Sequence, residues 1–165
     1  MAPSYEELGL ALENFIRKNV EGKSVGVAFS GGMDSGIVAA VAAKYARSVT
    51  CYTCGVDDAF DVQAGKELAD KLGLPWVHCR IGEDNIEDTI RELIGATGVS
   101  DPFTISYELQ LFTVCRRADE SIILTGQGSD EYFGGCARSV NDDDSEYEAV
   151  LNWGIERLMK VSIPC

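Results

Sequence analysis

The chain has 165 residues, 45% of them hydrophobic, enough to bury a core as one folding unit. Its 27 Asp and Glu against 14 Lys and Arg leave a formal charge of −13, which opposes attraction to nucleic-acid phosphates and anionic lipid. No apolar run approaches the roughly 18 to 20 residues that span a bilayer, and the first residues lack the basic and apolar parts of a signal peptide, so the expectation is a cytoplasmic protein with no nucleic acid and no membrane as partner.

Residues 4–20 carry Leu8, Leu12, Phe15 and Ile16 at helical spacing, with Ser4 and Glu7 placed as a capping box. Residues 24–29 read as a short buried strand, and 37–46, apolar nearly all round, as a covered helix. A strand at 48–53, a helix over about 60–72 and a strand at 76–81 after Pro75 follow. Helical patterns at 85–94 and 105–115 precede another apolar strand, 121–124. After an acidic run, Tyr147, Leu151, Gly154, Leu158 and Val161 form an apolar stripe on a last helix, which offers a face to a second copy or a partner subunit. This alternation predicts a three-layer α/β/α fold with a mainly parallel sheet of about five strands, one domain over 1–165, and ligands at the carboxyl ends of the strands. The six cysteines fall mostly in apolar segments and are expected to be reduced; Cys51 and Cys54 form a lone CxxC with a single histidine, His78, in the whole chain, too few ligands for a zinc site.

Two glycine turns carry the chemistry. The first, Ser30, Gly31, Gly32, Met33, Asp34, Ser35 and Gly36, lies between a strand and a helix. Glycines let a backbone approach a ligand, Ser30 and Ser35 donate hydroxyls, and the amides of the following helix point at an anion, so the turn reads as a phosphate cradle. It lacks the Walker lysine, and a carboxylate such as Asp34 beside a polyphosphate calls for a magnesium ion between the two. The second turn, from Thr125 through Gly126, Gln127, Gly128, Ser129 and Asp130 to Gly135, repeats the strand-to-glycine logic, so one metal is expected between Asp34 and Asp130.

On these residues, SGGMDS at 30–35 resembles the pyrophosphate-binding loop, or PP-loop, of the N-type ATP pyrophosphatases. TGQGSDEYFGG at 125–135 is similar to the second signature of the asparagine synthase family's synthetase domain. The likeness covers most of 20–140, including CGVDD at 54–58 and the pair Asp101 and Pro102. It implies an adenine nucleotide alpha hydrolase-like, Rossmann-like fold and an ATP-dependent, AMP-forming amidoligase: a small carboxylate, such as an acidic amino acid, attacks the α-phosphate of ATP, magnesium pyrophosphate leaves, and ammonia or an amine attacks the acyl-adenylate. The resemblance assigns Ser30, Gly31, Gly32, Asp34 and Ser35 to pyrophosphate and Cys54, Gly55 and Gly126 to the adenosine part, with Gly128 and Ser129 also lining the nucleotide. It assigns Mg2+ to Asp34 and Asp130.

Where the family often has Glu this chain has Gln127, which cannot act as a carboxylate base but can orient a substrate by hydrogen bonds. Arg138 is the candidate for holding pyrophosphate or a substrate carboxylate. The sequence shows no amino-terminal glutaminase domain and ends soon after the second signature with Lys160 the one lysine there, so free ammonia or an amine is the expected nitrogen source. A nucleotide-binding module with incomplete catalysis, or a subunit of a larger ligase, is the alternative. RNA modification by an ATP pyrophosphatase is opposed by the charge and by the absence of a basic stripe.

Overall fold

The computed structural model describes residues 4–129; Asp130, Arg138 and the apolar stripe after residue 146 lie outside them. The elements run α1 (Tyr5–Val20), β1 (Ser24–Ala28), α2 (Met33–Tyr45), β2 (Ser48–Gly55), α3 (Phe60–Leu72), β3 (Trp76–Arg80), α4 (Ile86–Thr97), α5 (Pro102–Arg117) and β4 (Ile123–Thr125). Among the described residues the sheet has four strands in the order β3-β2-β1-β4, and every pairing is parallel. This is the expected α/β architecture, with about five strands anticipated and four described.

Alternation along the strands sorts side chains to two faces. Val25 and Val27 of β1 with Val49 and Cys51 of β2 pack under Ile16 and Val20 of α1, Ala39 and Ala42 of α2, and Ala69 of α3. The opposite face carries Tyr52 and Cys79 against Val114 of α5, continuing into Ile81, Leu93, Leu109 and Phe112 between α4 and α5. A strand glycine, Gly26, lets this second layer close: a Cβ there would meet the Ile123 Cδ1 at 2.6 Å and the Tyr52 ring at 3.1 Å.

Local chemistry sets the ends. Ser4 and Glu7 exchange backbone bonds of 3.2 and 2.8 Å, the capping box read from the sequence. Gly73 at φ 68° stops α3 in a left-handed cap. Asp101 caps α5, accepting from the Thr104 amide at 2.7 Å with Pro102 in the first turn; those bonds hold its carboxyl below the ordinary carboxylate range. α1 and α2 are clasped where Tyr45 Oη and Lys44 Nζ donate to Glu13 at 2.7 and 3.0 Å.

The chain steps from β1 to β2 to β3 in one direction, then returns through α4 and α5 to lay β4 on the other side of β1. The order therefore reverses between β1 and β4, the switch point at which open parallel sheets bind ligands.

Candidate functional site

Both glycine turns emerge at that switch point. α2 begins at Met33, four residues earlier than its apolar run suggests, so Asp34 and Ser35 sit in its first turn rather than in a free loop. Its cap, Gly32, has no side chain to bond those first amides, and they stay open to an anion. Ser35 is buried and central: its Oγ lies 3.3 Å from the Ser30 amide, from the Ser30 Oγ and from the Gly32 carbonyl, so the two hydroxyls are held side by side. Gly31, at φ 77°, lays the turn against α3; a Cβ there would fall 2.5 Å from the Ala64 carbonyl carbon and the Gly65 amide nitrogen.

The second turn leans directly on the first. Ser129 Oγ donates to Asp34 Oδ2 at 2.8 Å, and a Cβ on Gly126 would lie 2.9 Å from the Ser35 amide nitrogen. Gln127 is fixed through its amide, which donates to Thr125 Oγ1 at 3.1 Å. Between the turns and α5 opens a cavity of about 340 Å3, within the usual range for small-molecule sites.

Of the residues named from the sequence, Ser30, Asp34, Ser35, Cys54, Gly126, Gln127, Gly128 and Ser129 line this cavity together. Gly31 and Gly32 shape the turn from behind without lining it. Gly55 lies outside the lining as well: its carbonyl accepts from the Ile81 amide at 3.0 Å and meets His78 Nε2 at 3.0 Å, while its Cα faces Val62 of α3. Asp130 and Arg138 are outside the described residues.

Sequence reasoning passed over the far wall. Ser106, Tyr107, Gln110, Leu111 and Val114 of α5 line the cavity, and Asp61 from the first turn of α3 joins them. The signal was present in α5, whose residues 106, 110 and 114 share one line at helical spacing, distinct from the line of Leu109 and Phe112 that faces α4. The floor is braced by a relay from β3 through β2 to the residue that follows β1: Trp76 Nε1 donates to Thr53 Oγ1 at 2.9 Å, and Thr53 Oγ1 donates to the Phe29 carbonyl at 2.5 Å.

The thiols are not a metal pair. β2 continues to Gly55, so Cys51 and Cys54 sit on opposite faces of one strand, and no cluster of metal-ligating side chains occurs among the described residues. Burial pushes the Cys51 and Cys79 thiols up to about 12; burial also raises Cys54, to about 11, against a lowering hydrogen bond with Thr113. These three are free, whereas Cys115 is disulfide-bonded, which corrects the expectation of uniformly reduced cysteines.

A family model described as asparagine synthase matches residues 8–155. The chain belongs to the asparagine synthase family. Over 143 residues it is 34% identical to a Methanocaldococcus jannaschii protein provisionally named asparagine synthetase [glutamine-hydrolyzing] 1, covering 82% of this chain and 26% of that protein. With the nodule asparagine synthetase of Pisum sativum it shares 36% identity over 123 residues, 67% of this chain and 21% of the relative. The chain thus spans about a quarter of the length of these relatives. In fold it is similar to the NMN synthetase of Francisella tularensis, with a TM-score of 0.51 and 19% identity over 92% of this chain and 72% of that one. The glutamine-dependent NAD+ synthetase of Acinetobacter baumannii gives a TM-score of 0.50 and 21% identity over 82% and 29%.

Proposed function

We propose that this chain binds magnesium ATP in the switch-point cavity, adenylates a small carboxylate with release of pyrophosphate, and passes the acyl group to ammonia or an amine. The observation that carries this reading is the junction of the two glycine turns, where Ser129 is bonded to Asp34 beside the uncapped first turn of α2. Open amides, two adjacent hydroxyls and a carboxylate are a donor set suited to a polyphosphate that arrives with a divalent cation. Magnesium fits here: Asp34, with Asp130 from the second turn, would hold it, and it would neutralise charge on the departing pyrophosphate.

The protein's own share is positioning. Ser30, Ser35 and the α2 amides hold the β and γ phosphates in place, so that when the substrate carboxylate forms its bond to the α-phosphorus, the bond to the bridging oxygen breaks toward an already neutralised leaving group. Gln127, fixed through its backbone, orients the acceptor by hydrogen bonds and takes no proton, so the attacking nitrogen enters as a neutral amine. Arg138 completes the assignment as the partner of pyrophosphate or of the substrate carboxylate.

Chromatography of reactions containing magnesium ATP, candidate carboxylates including acidic amino acids, and ammonium tests the reading. AMP and pyrophosphate are the expected products; ADP and orthophosphate would overturn it.

A further inference from the structure

The carboxyl end of β3 grips the turn between β2 and α3 from behind the cavity. His78 Nε2 lies 3.0 Å from the Gly55 carbonyl oxygen, and because a carbonyl only accepts, that ring nitrogen carries the hydrogen. The Ile81 amide donates to the same oxygen at 3.0 Å, so both of its lone pairs are used. Two residues beyond His78, Arg80 Nε meets Asp57 Oδ2 at 3.1 Å, and the same guanidinium reaches Asp84 at 2.8 Å. The Arg80 and Asp57 side chains are 45% and 64% exposed, which leaves that ion pair screened and weak; His78, at 21%, makes the sheltered contact. Its ring is set in place by Trp76, two residues back on the same face of β3, with ring centroids 5.9 Å apart and planes 15° from parallel. Both aromatic side chains reach forward along β2: Trp76, in register with Cys51, bonds Thr53, and His78, in register with Thr53, bonds Gly55.

Taking the cavity as the ATP site, we infer that His78 is a positioning residue for it. His78 lies outside the cavity lining and acts through Gly55, by fixing the turn from which α3 departs. Both ends of that turn matter to the site. Cys54, immediately before Gly55, lines the cavity, and so does Asp61 in the first turn of α3. Ala64 and Gly65, one helical turn after Asp61 on the same face, supply the backbone on which Gly31 of the phosphate turn is seated. A turn released from β3 lets the start of α3 shift, and the Asp61 wall and the phosphate turn shift with it. A misplacement of about 1 Å is enough to cost a site much of its function.

The test is titration calorimetry of magnesium ATP into the full chain, His78→Leu and His78→Gln, at a temperature where circular dichroism shows every variant folded. His78→Leu removes the donor and should weaken ATP by about 5- to 10-fold, the worth of one neutral hydrogen bond. His78→Gln, whose side-chain amide can donate from nearly the place of Nε2, should restore affinity to within about twofold of wild type. Gly73→Ala, at the far end of α3 with open space around it, lowers stability without touching the turn and should bind as wild type does. Equal affinity in wild type and His78→Leu, equal weakening in His78→Leu and His78→Gln, or the same weakening in Gly73→Ala overturns the role given to His78 while leaving the ATP site intact. If wild type bound no magnesium ATP, the reading of the cavity and the inference built on it would fall together.

Discussion

Substituting Gly31→Ala separates two costs that the structure assigns to one residue. The left-handed φ of 77° penalises any side chain by about 1–2 kcal/mol. The added methyl would also meet backbone atoms of Ala64 and Gly65 at 2.5 Å, which cannot swing aside as a flexible side chain would, and forcing atoms into a filled site costs about 1–3 kcal/mol more. The total, about 2–5 kcal/mol, is a large part of the ~5–15 kcal/mol that holds a domain together. Gly73→Ala is the internal control, since Gly73 has a similar φ of 68° with nothing within 4 Å of its would-be Cβ, and so bears the first cost alone. With a urea dependence of about 2 kcal/mol per molar, the denaturation midpoint should fall by about 1–2.5 M for Gly31→Ala against about 0.5–1 M for Gly73→Ala. Equal shifts would refute the claim that the phosphate turn is seated on the α3 backbone.

Stability should decline as pH rises above about 9, because the native state keeps Cys51, Cys79 and Cys54 protonated to about 11–12, and Tyr52, raised by burial and by its bond to Glu120, to about 12, while the unfolded chain releases those protons near 9 and 10. Each fully buried thiol contributes a loss of about 1.4 kcal/mol per pH unit in that window, and urea midpoints that hold constant from pH 8.5 to 10.5 would contradict the burial. Thr53→Val keeps shape but leaves Trp76 Nε1 without its acceptor and the Phe29 carbonyl without its donor, so a loss of about 1–3 kcal/mol is expected; a change under about 0.5 kcal/mol in chemical denaturation would show that the relay does not brace the floor.

The parts of this architecture legible in the sequence are those governed by neighbours along the chain. α3 is read at Phe60–Leu72 because its apolar face and the Gly73 cap are both local, and the α1 cap because Ser4 and Glu7 bond each other. The start of α2 was less visible: glycines signal a turn, yet here the turn becomes helical by Met33 and carries Asp34 and Ser35 into the first helical turn. The length of β2 mattered equally, since its two extra residues put Cys51 and Cys54 on opposite faces. The α5 wall stayed hidden for another reason. Polar residues on a helix look alike whether they face bulk water or a cavity, and only the return of β4 beside β1 determines which applies to Ser106 and Gln110.

The central claim, that the paired turns hold a polyphosphate through a shared divalent cation, is tested most directly by titrating magnesium ATP into the full chain and into Asp34→Ala and Asp130→Ala. The account predicts that wild type binds only with the metal present and that each substitution removes most of that metal-dependent affinity, since each deletes a carboxylate assigned to the metal. Affinity that is the same with and without magnesium, or unchanged in both variants, would contradict it.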